Sequence, residues 1–191
     1  MTPVEKLNNT FQLLRDNEIV DFNLGDLFMY GGKVFTMGTI KREDMPQLRG
    51  FPIAGSLACV LPQDDKGKVD VTKMFLNWIA RTRNAQILTT KERPSELRAA
   101  QSELLASKVA KHTSKLARDP SYKKLTQAYI VAGDLTLVDG QHGWASLRCH
   151  EIITGVKIHM NIVKVMLPPS ELVDAAREFT SMVGISPKEG L

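Results

Sequence analysis

The residues best suited to chemistry lie in one short segment, residues 135–145, which reads LTLVDGQHGWA. Asp139 and Gly140 interrupt an apolar run that is typical of a strand, and a helical pattern begins at about His142. A strand that turns directly into a helix places free backbone N–H groups and the positive end of the helix dipole beside the Asp139 carboxylate and the His142 imidazole. Such a helix start favours phosphate or carboxylate, and each favourable charge interaction contributes about 0.3–1 kcal/mol.

The neighbouring small and polar residues suggest how a ligand would be held. Gly140, Gln141 and Gly143 would line a phosphate-binding loop, because glycine lets a ligand approach the backbone closely. In this interpretation Asp139 and His142 are candidate catalytic residues. The alternative is an ordinary β–α junction, in which the glycines and a capping aspartate have a structural role only.

A second candidate is a basic helical face downstream of residue 100. Lys108, Lys111 and Lys115 are spaced i, i+3 and i+7, so they project from one side of a helix and could follow a nucleic-acid backbone. The net charge of +4 and the isoelectric point near 9.1 allow this partner without requiring it. The alternative is the solvated face of an amphipathic helix.

Metal chemistry has weaker support in the sequence. Glu96 is a candidate catalytic carboxylate and, with Glu103, could serve a metal-assisted nuclease, but their spacing does not demand it. The remaining histidines lack ligand spacing: His112, His150 and His159. We therefore predict no metal site built from protein side chains.

The composition indicates an ordinary globular protein. The 191 residues are 43% hydrophobic and 24% charged, which argues against disorder. No apolar run approaches the roughly 18 residues that cross a bilayer, and the pattern of a signal peptide is missing at Met1, so we expect a soluble, cytoplasmic protein without a membrane partner. Cys59 and Cys149 are far apart and are expected to be reduced thiols.

The patterning predicts an α/β or α+β fold, with a small mixed sheet flanked by helices. Residues 1–84 are expected to form an extension packed on the core, and residues 85–191 a domain that ends in a helix. The predicted elements are a helix over 4–14, a hairpin over 26–37, a helix from Asp70 or Thr72 to about 83, a strand over 85–89, a helical region from Pro94, a long helix over 102–117, a hairpin over 129–138, a helix over 142–153, a strand over 156–162 and a final helix capped by Ser170.

The segment around Asp139 resembles a motif of phage and bacterial ParB-like proteins, whose N-terminal domain has the sulfiredoxin-like fold. Their box reads aspartate, glycine, histidine, histidine, arginine, tryptophan, alanine. The residues that match it are Asp139, Gly140, His142, Trp144 and Ala145. The upstream stretches SELRAAQ at 95–101 and KVA at 108–110 are similar to the region before the box in the phage branch, and MPQ at 45–47 resembles a short element that precedes this domain in some members.

The chain departs from the family pattern at two positions of the box. Gly143 replaces the arginine expected to grip a nucleotide phosphate, and Gln141 stands where relatives often have histidine. Arg148 lies five residues after Gly143, which turns it away from that face of the helix. Restoring the guanidinium with Gly143→Arg is therefore expected to strengthen nucleotide binding by about 1.5–3 kcal/mol.

The resemblance implies a phage-type ParB-like protein that binds a nucleotide or nucleic-acid phosphate, with DNase activity as one outcome. It also implies that Gln101 and Arg98 line the nucleotide pocket, and that a nucleoside triphosphate with Mg²⁺ is the cofactor. Two alternatives stay open. The first is a nucleotide hydrolase or small-molecule phosphotransferase. The second is a non-catalytic factor that binds a host or virion protein and keeps the degenerate fold as a scaffold, in the host cell cytoplasm if the protein is phage-encoded.

Overall fold

The computed structural model describes residues 22–23, 25–48, 63 and 67–185. It confirms the mixed α/β class. The strands are β1 (Phe22–Asn23), β2 (Leu27–Tyr30), β3 (Lys33–Thr36), β4 (Ile87–Glu92), β5 (Glu103–Leu105), β6 (Ala128–Val131) and β7 (Met160–Val165). The helices are α1 (Val71–Thr82), α2 (Ala106–Arg118), α3 (Lys123–Thr126), α4 (Gln141–Thr154) and α5 (Pro169–Met182), with 3₁₀ turns at Arg42–Asp44 and Pro94–Glu96.

The strands form two separate sheets. The first is antiparallel, in the order β1-β2-β3-β5, and its β2–β3 hairpin turns at Gly31 and Gly32, which both have positive φ. The second is mixed, in the order β4-β7-β6, with β4 antiparallel and β6 parallel to β7. The parallel pair is connected by α4, because parallel neighbours need a crossover element between them.

The second sheet separates two apolar clusters. Side chains alternate along β6, so Tyr129 and Val131 face the cluster that contains α2, α4 and the first sheet. Ile130 and Ala132 face the opposite cluster, which contains α1 and α5. The chain around β6 is therefore buried on both faces, and the turn that follows this strand has a rigid base.

The turn and the helix predicted around residue 140 are confirmed, while the strand predicted before them is reduced to isolated bridges at Thr136 and Leu137. After β6 the chain turns at 133–134 and returns to pair Leu137 with Val131. Helix α4 then begins at Gln141 and ends at Thr154, and the C-cap residue is Gly155, whose φ of 71° suits glycine. Trp144 is 1% exposed, as predicted, and its Nε1–H donates to the Pro94 carbonyl oxygen at 2.7 Å.

Several predicted boundaries were wrong for identifiable reasons. Residues 103–105 belong to a strand, because they pair with residues 33–35 across the first sheet, so the long helix starts at Ala106. Pro94 opens only a three-residue 3₁₀ turn. The last helix begins at Pro169, after Pro168, so Ser170 is not its cap. Strand β7 starts at Met160, later than predicted, and β4 covers residues 87–92. The predicted helix over 4–14 lies outside the described residues.

Among the described residues, the predicted extension contacts the rest of the chain through the first sheet and through α1, and also by the Arg148–Asp26 ion pair. The β2–β3 hairpin pairs with β5, and α1, which Asp70 caps through the Lys73 N–H, packs with α5. A domain boundary at residue 84 stays a prediction.

Within the described ranges, none of the helices has the length and apolar character of a membrane span.

His112, in the middle of α2, is half-buried, and its Nδ1 lies 2.7 Å from the Tyr122 hydroxyl. Burial, followed by the positive charges of four nearby lysines, lowers the pKa of His112 from 6.5 to about 4. The folded protein therefore keeps this imidazole neutral at pH values where the unfolded chain protonates it.

The first prediction concerns acid stability. Since the folded-state pKa of His112 is depressed, its effect is a loss of stability as pH falls from about 6.5 toward about 4. His112→Gln should make the urea unfolding midpoint less sensitive to pH between 7 and 5. His159→Gln, which alters an exposed histidine, is the control and should leave the pH dependence as in the wild type. Equal pH dependence in all three proteins would contradict this role for His112.

Candidate functional site

Helices α2 and α4 begin side by side, and one hydrogen bond joins their first residues. The backbone N–H of Leu105, which immediately precedes α2, donates to His142 Nε2 in the first turn of α4 at 3.0 Å. An imidazole nitrogen that accepts a hydrogen bond must be unprotonated, so His142 is held with its proton on Nδ1. The imidazole is 7% exposed and holds the two helix starts together.

Neither helix receives a side-chain cap from the residue before it. Gly140 has no side chain, and Leu105 has an apolar one. The first N–H groups of a helix have no intrahelical acceptor, and they carry the positive end of the helix dipole. Two such ends therefore converge at the His142–Leu105 contact, and both favour a negatively charged ligand.

Cationic side chains surround this junction. Lys108 is in the first turn of α2, and its pKa is lowered by burial and by the nearby positive charges of Arg42 and Lys111. Lys124 of α3 is half-buried, and burial, together with Lys123 and Lys108, lowers its pKa, while Asp139 raises it. These cations are close enough to repel one another, so an anion between them would relieve that repulsion.

The Tyr129 side chain lies so close to Gly140 and Gly143 that neither position has space for a Cβ. Gly140 has φ of 97°, and a Cβ there would lie 2.5 Å from the Tyr129 ring. A Cβ at Gly143 would lie 2.8 Å from Tyr129 Oη and 3.2 Å from Lys124 Cδ. The Tyr129 hydroxyl donates to the Lys124 carbonyl oxygen at 2.7 Å, and burial and the Asp139 charge raise its pKa, so the ring is fixed in its un-ionised form.

The effect of Gly143→Arg on nucleotide binding stays a prediction, but the structure shows that residue 143 is crowded. The sequence suggested a loop open to a guanidinium, but Gly143 is buried and Tyr129 and Lys124 already occupy the space that a side chain would need. Arg148 does not replace the missing arginine. It pairs with Asp26 and lies over the Trp144 ring.

A small cavity opens beside the start of α4, and we call it the amide cavity. Its volume is about 80 Å³. Two glutamine side chains that border it, Gln101 and Gln141, are 0% and 4% exposed. The complete lining is Met45, Pro46, Gln47, Leu48, Gln101, Val138, Asp139, Gly140 and Gln141. The structure thus brings together four of the predicted site residues: Gln101, Asp139, Gly140 and Gln141.

Three other predicted site residues have different positions. Glu96 hydrogen-bonds Glu92, and this contact with burial raises the pKa of Glu92. The Arg98 side chain is 73% exposed and lies 4.0 Å from the Asp134 carboxylate. Its main-chain carbonyl oxygen accepts a hydrogen bond from the Leu137 N–H. Neither Glu96 nor Arg98 lines the amide cavity. His142 is close, but its Nε2 is engaged by the Leu105 N–H, which leaves that nitrogen unsuited to act as a general base.

The predicted basic face is present on α2. Lys108, Lys111 and Lys115 are all exposed, and Lys115 Nζ lies over the Tyr122 ring. Because Lys108 is also at the junction with α4, this face continues from the helix starts toward the end of α2. In the part of the chain that the structure describes, no three His, Cys, Asp or Glu side chains are grouped to hold a metal ion.

Local sequence patterns do not indicate the roles of Leu105, Tyr129 and Lys124. Tyr129 was only one apolar residue in a predicted strand, and Leu105 was assigned to the interior of a helix. Their contribution comes from long-range contacts, which local patterning does not encode. The one available signal was the pair of glycines at 140 and 143, which indicated that something approaches the backbone closely.

Comparisons with known proteins add no relative: no protein-family model matches the chain, and neither the curated proteins nor the solved structures give a significant match. The resemblance to ParB-like proteins therefore stays a prediction from the sequence.

The second prediction concerns the crowding at Gly143. Gly143→Ala should destabilise the protein by about 1–3 kcal/mol, because the added methyl overpacks against Tyr129. Tyr129→Phe removes the Oη atom, so the double variant should lose less stability than the two single losses added together. Urea unfolding of the four proteins measures this coupling. Additive losses would show that Tyr129 does not exclude a side chain at residue 143.

Proposed function

We propose that this protein binds a phosphorylated ligand, either a nucleotide or the phosphate backbone of a nucleic acid, where α2 and α4 begin. The observation that carries the proposal is the hydrogen bond between Leu105 N–H and His142 Nε2, which joins two uncapped helix starts. Each helix start stabilises a bound anion by about 0.3–1 kcal/mol. The positive charges of Lys108 and Lys124 add to this attraction.

The arrangement favours binding over catalysis. Of the three residues expected to be catalytic, Asp139 alone lines the amide cavity; His142 accepts from a backbone N–H and Glu96 interacts with Glu92. A magnesium ion that accompanies a triphosphate needs few protein ligands, and Asp139 is the carboxylate in position to serve it. We therefore propose a binding protein and test its ligand with and without Mg²⁺.

The third prediction tests the phosphate site. Titration of the wild type with ATP or CTP, with and without Mg²⁺, should raise the melting temperature, because a ligand that binds only the folded state stabilises it. Lys108→Gln and Lys124→Gln should each weaken binding by roughly tenfold, which corresponds to about 1.4 kcal/mol. Lys73→Gln removes the same charge from an exposed position on α1 and should bind as the wild type does. Equal affinity in all four proteins would show that the phosphate does not bind where α2 and α4 begin.

The fourth prediction distinguishes a nucleic acid from a free nucleotide. Lys111 and Lys115 lie further along α2 than Lys108, so only a polymer could contact all three. The double variant Lys111→Gln/Lys115→Gln should flatten the dependence of duplex DNA binding on salt concentration by about two units of log–log slope, since each lost phosphate contact removes about 0.9. Its affinity for ATP should not change.

Fluorescence anisotropy from low to physiological salt measures that slope. An unchanged slope, with DNA still bound, would place the nucleic acid elsewhere. If the wild type binds no DNA even at low salt, the exposed lysines of α2 contact solvent and do not bind nucleic acid.

One observation favours a second function, protein binding. The outer face of the first sheet exposes a group of apolar side chains: Phe28, Tyr30 and Met37 are 41%, 68% and 76% exposed. The Phe28 and Phe35 rings stack there with centroids 5.1 Å apart. Exposed aromatic clusters are typical of protein interfaces. A protein that binds neither nucleotide nor DNA would make this face the leading candidate.

A further inference from the structure

Strand β4 lies at one end of the second sheet, so only one of its two sides is paired within that sheet. The strands of the sheet follow the order β4-β7-β6, and β4 pairs with β7 in continuous register over Ile87–Glu92. The Met166 N–H donates to the Gln86 carbonyl oxygen at 2.9 Å, which identifies residues 86 and 166 as a hydrogen-bonded pair. Because such pairs alternate along an antiparallel ladder, the main-chain groups of residues 88, 90 and 92 point toward β7.

The main-chain groups of Ile87, Thr89 and Lys91 therefore point away from the sheet. Among the residues that the structure describes, none donates to these three N–H and C=O pairs or accepts from them. Thr89 and Lys91 are also exposed, and Ile87 is half-buried. A row of unpaired main-chain groups on an exposed edge is a template for the addition of another strand.

This edge lacks the features that usually prevent strand addition. Proline, a β-bulge or a lysine that projects past the edge are common protective features. Strand β4 contains no proline, and its register with β7 has no bulge. Its one lysine, Lys91, is directed back over the sheet, because its Nζ donates to Asn161 Oδ1 at 2.5 Å. A second strand can therefore pair with β4 along its full length.

The side chains of β4 are suited to a second copy of the same strand. Two copies can pair antiparallel about a two-fold axis at Thr89, and the residues that then face each other are Thr89 with Thr89, Leu88 with Thr90, Ile87 with Lys91, and Gln86 with Glu92. No like charges are opposite each other, and threonine pairs are favourable across strands. Leu88, which is 37% exposed, becomes the diagonal neighbour of Leu88 in the other copy at about 7–8 Å, within reach of long side chains.

Other positions of the axis fit less well. With the axis at Lys91, the two lysines would face each other, and like charges directly opposite destabilise a strand pair. With the axis at Thr90, the exposed Leu88 would face Glu92. The axis at Thr89 avoids both arrangements.

A peptide from another protein could form the same main-chain hydrogen bonds, but it would need pockets beside the edge for its side chains. The amide cavity and two larger cavities beside α5 have no residue of β4 in their lining. These cavities therefore cannot provide such pockets, and the self-complementary residues of β4 favour a second copy of this chain.

We propose that two copies of this chain associate through β4, with the two-fold axis at Thr89. The contact is isologous, because each copy presents the same edge to the other. It joins the three-stranded sheets of the two copies into one continuous sheet and pairs the outward main-chain groups of Ile87, Thr89 and Lys91. The inference does not depend on the proposed phosphate site.

Sedimentation equilibrium of the full chain over a range of concentrations tests this association. The wild type should approach twice the 21.3 kDa mass of one chain as its concentration rises. Thr89→Lys and Thr89→Glu should each keep the mass of one chain, because like charges would then face each other across the axis. An equimolar mixture of these two variants should recover the double mass, since opposite charges face each other in the mixed pair. Thr89→Val keeps the branched shape without a charge, and it should associate as the wild type does.

Three results would overturn the inference. The first is a wild type that keeps the mass of one chain at every concentration. The second is a double mass that either charged variant retains by itself, because the contact would then lie elsewhere or in another register. The third is a mixture of the two folded variants that does not recover the double mass. Circular dichroism confirms that each variant is folded.

A variant without a charge supplies a second test of the same edge. Thr89→Pro removes an N–H that β7 does not use, and proline is tolerated at such outward positions of edge strands. It should prevent the association while the protein stays folded. A folded Thr89→Pro variant that associates as the wild type does would also overturn the inference.

Discussion

The contact between Leu105 N–H and His142 Nε2 adds a polar connection between parts of the fold that also pack in one apolar cluster. Leu105 ends the first sheet and starts α2, while His142 belongs to the crossover helix of the second sheet. This imidazole thus contributes, with the apolar packing around it, to the relative position of the two helix starts. The contact also explains why a histidine is needed here: its Nε2 is a rigid acceptor that can reach a backbone N–H across 37 residues of sequence.

Tyr129 is the second constraint, and it acts by filling space. Its ring lies against Gly140 and its hydroxyl reaches the Lys124 carbonyl, so the turn, α3 and the first turn of α4 form one packed unit. A residue with a Cβ at either glycine would displace the ring. In the proposed function the loop would therefore use backbone groups and neighbouring lysines, because a side chain at residue 143 would have to displace Tyr129.

Local structure was predictable where one pattern dominated. The hairpin around Gly31 and Gly32, the helix that Asp70 caps, and the turn and helix start at Asp139 and Gly140 each follow from turn chemistry and apolar periodicity. The errors arose where a distant partner decided the outcome. Residues 103–105 have a helical pattern, yet pairing with β3 makes them a strand. The cavity between Gln101 and Gln141 has no local signature, because its walls come from three separate stretches of the chain.

The pairing of β3 with β5 also has a consequence for the kinetics of folding. It joins residues 33–35 to residues 103–105, whereas β2 and β3 meet through a two-residue turn. Closing a loop of about 70 residues costs entropy before any contact compensates for it, so the hairpin can form early and its attachment to β5 must follow. Helix α2 starts where β5 ends, and the junction with α4 is completed only by that attachment. The proposed binding site is therefore completed only when this long-range pairing has formed.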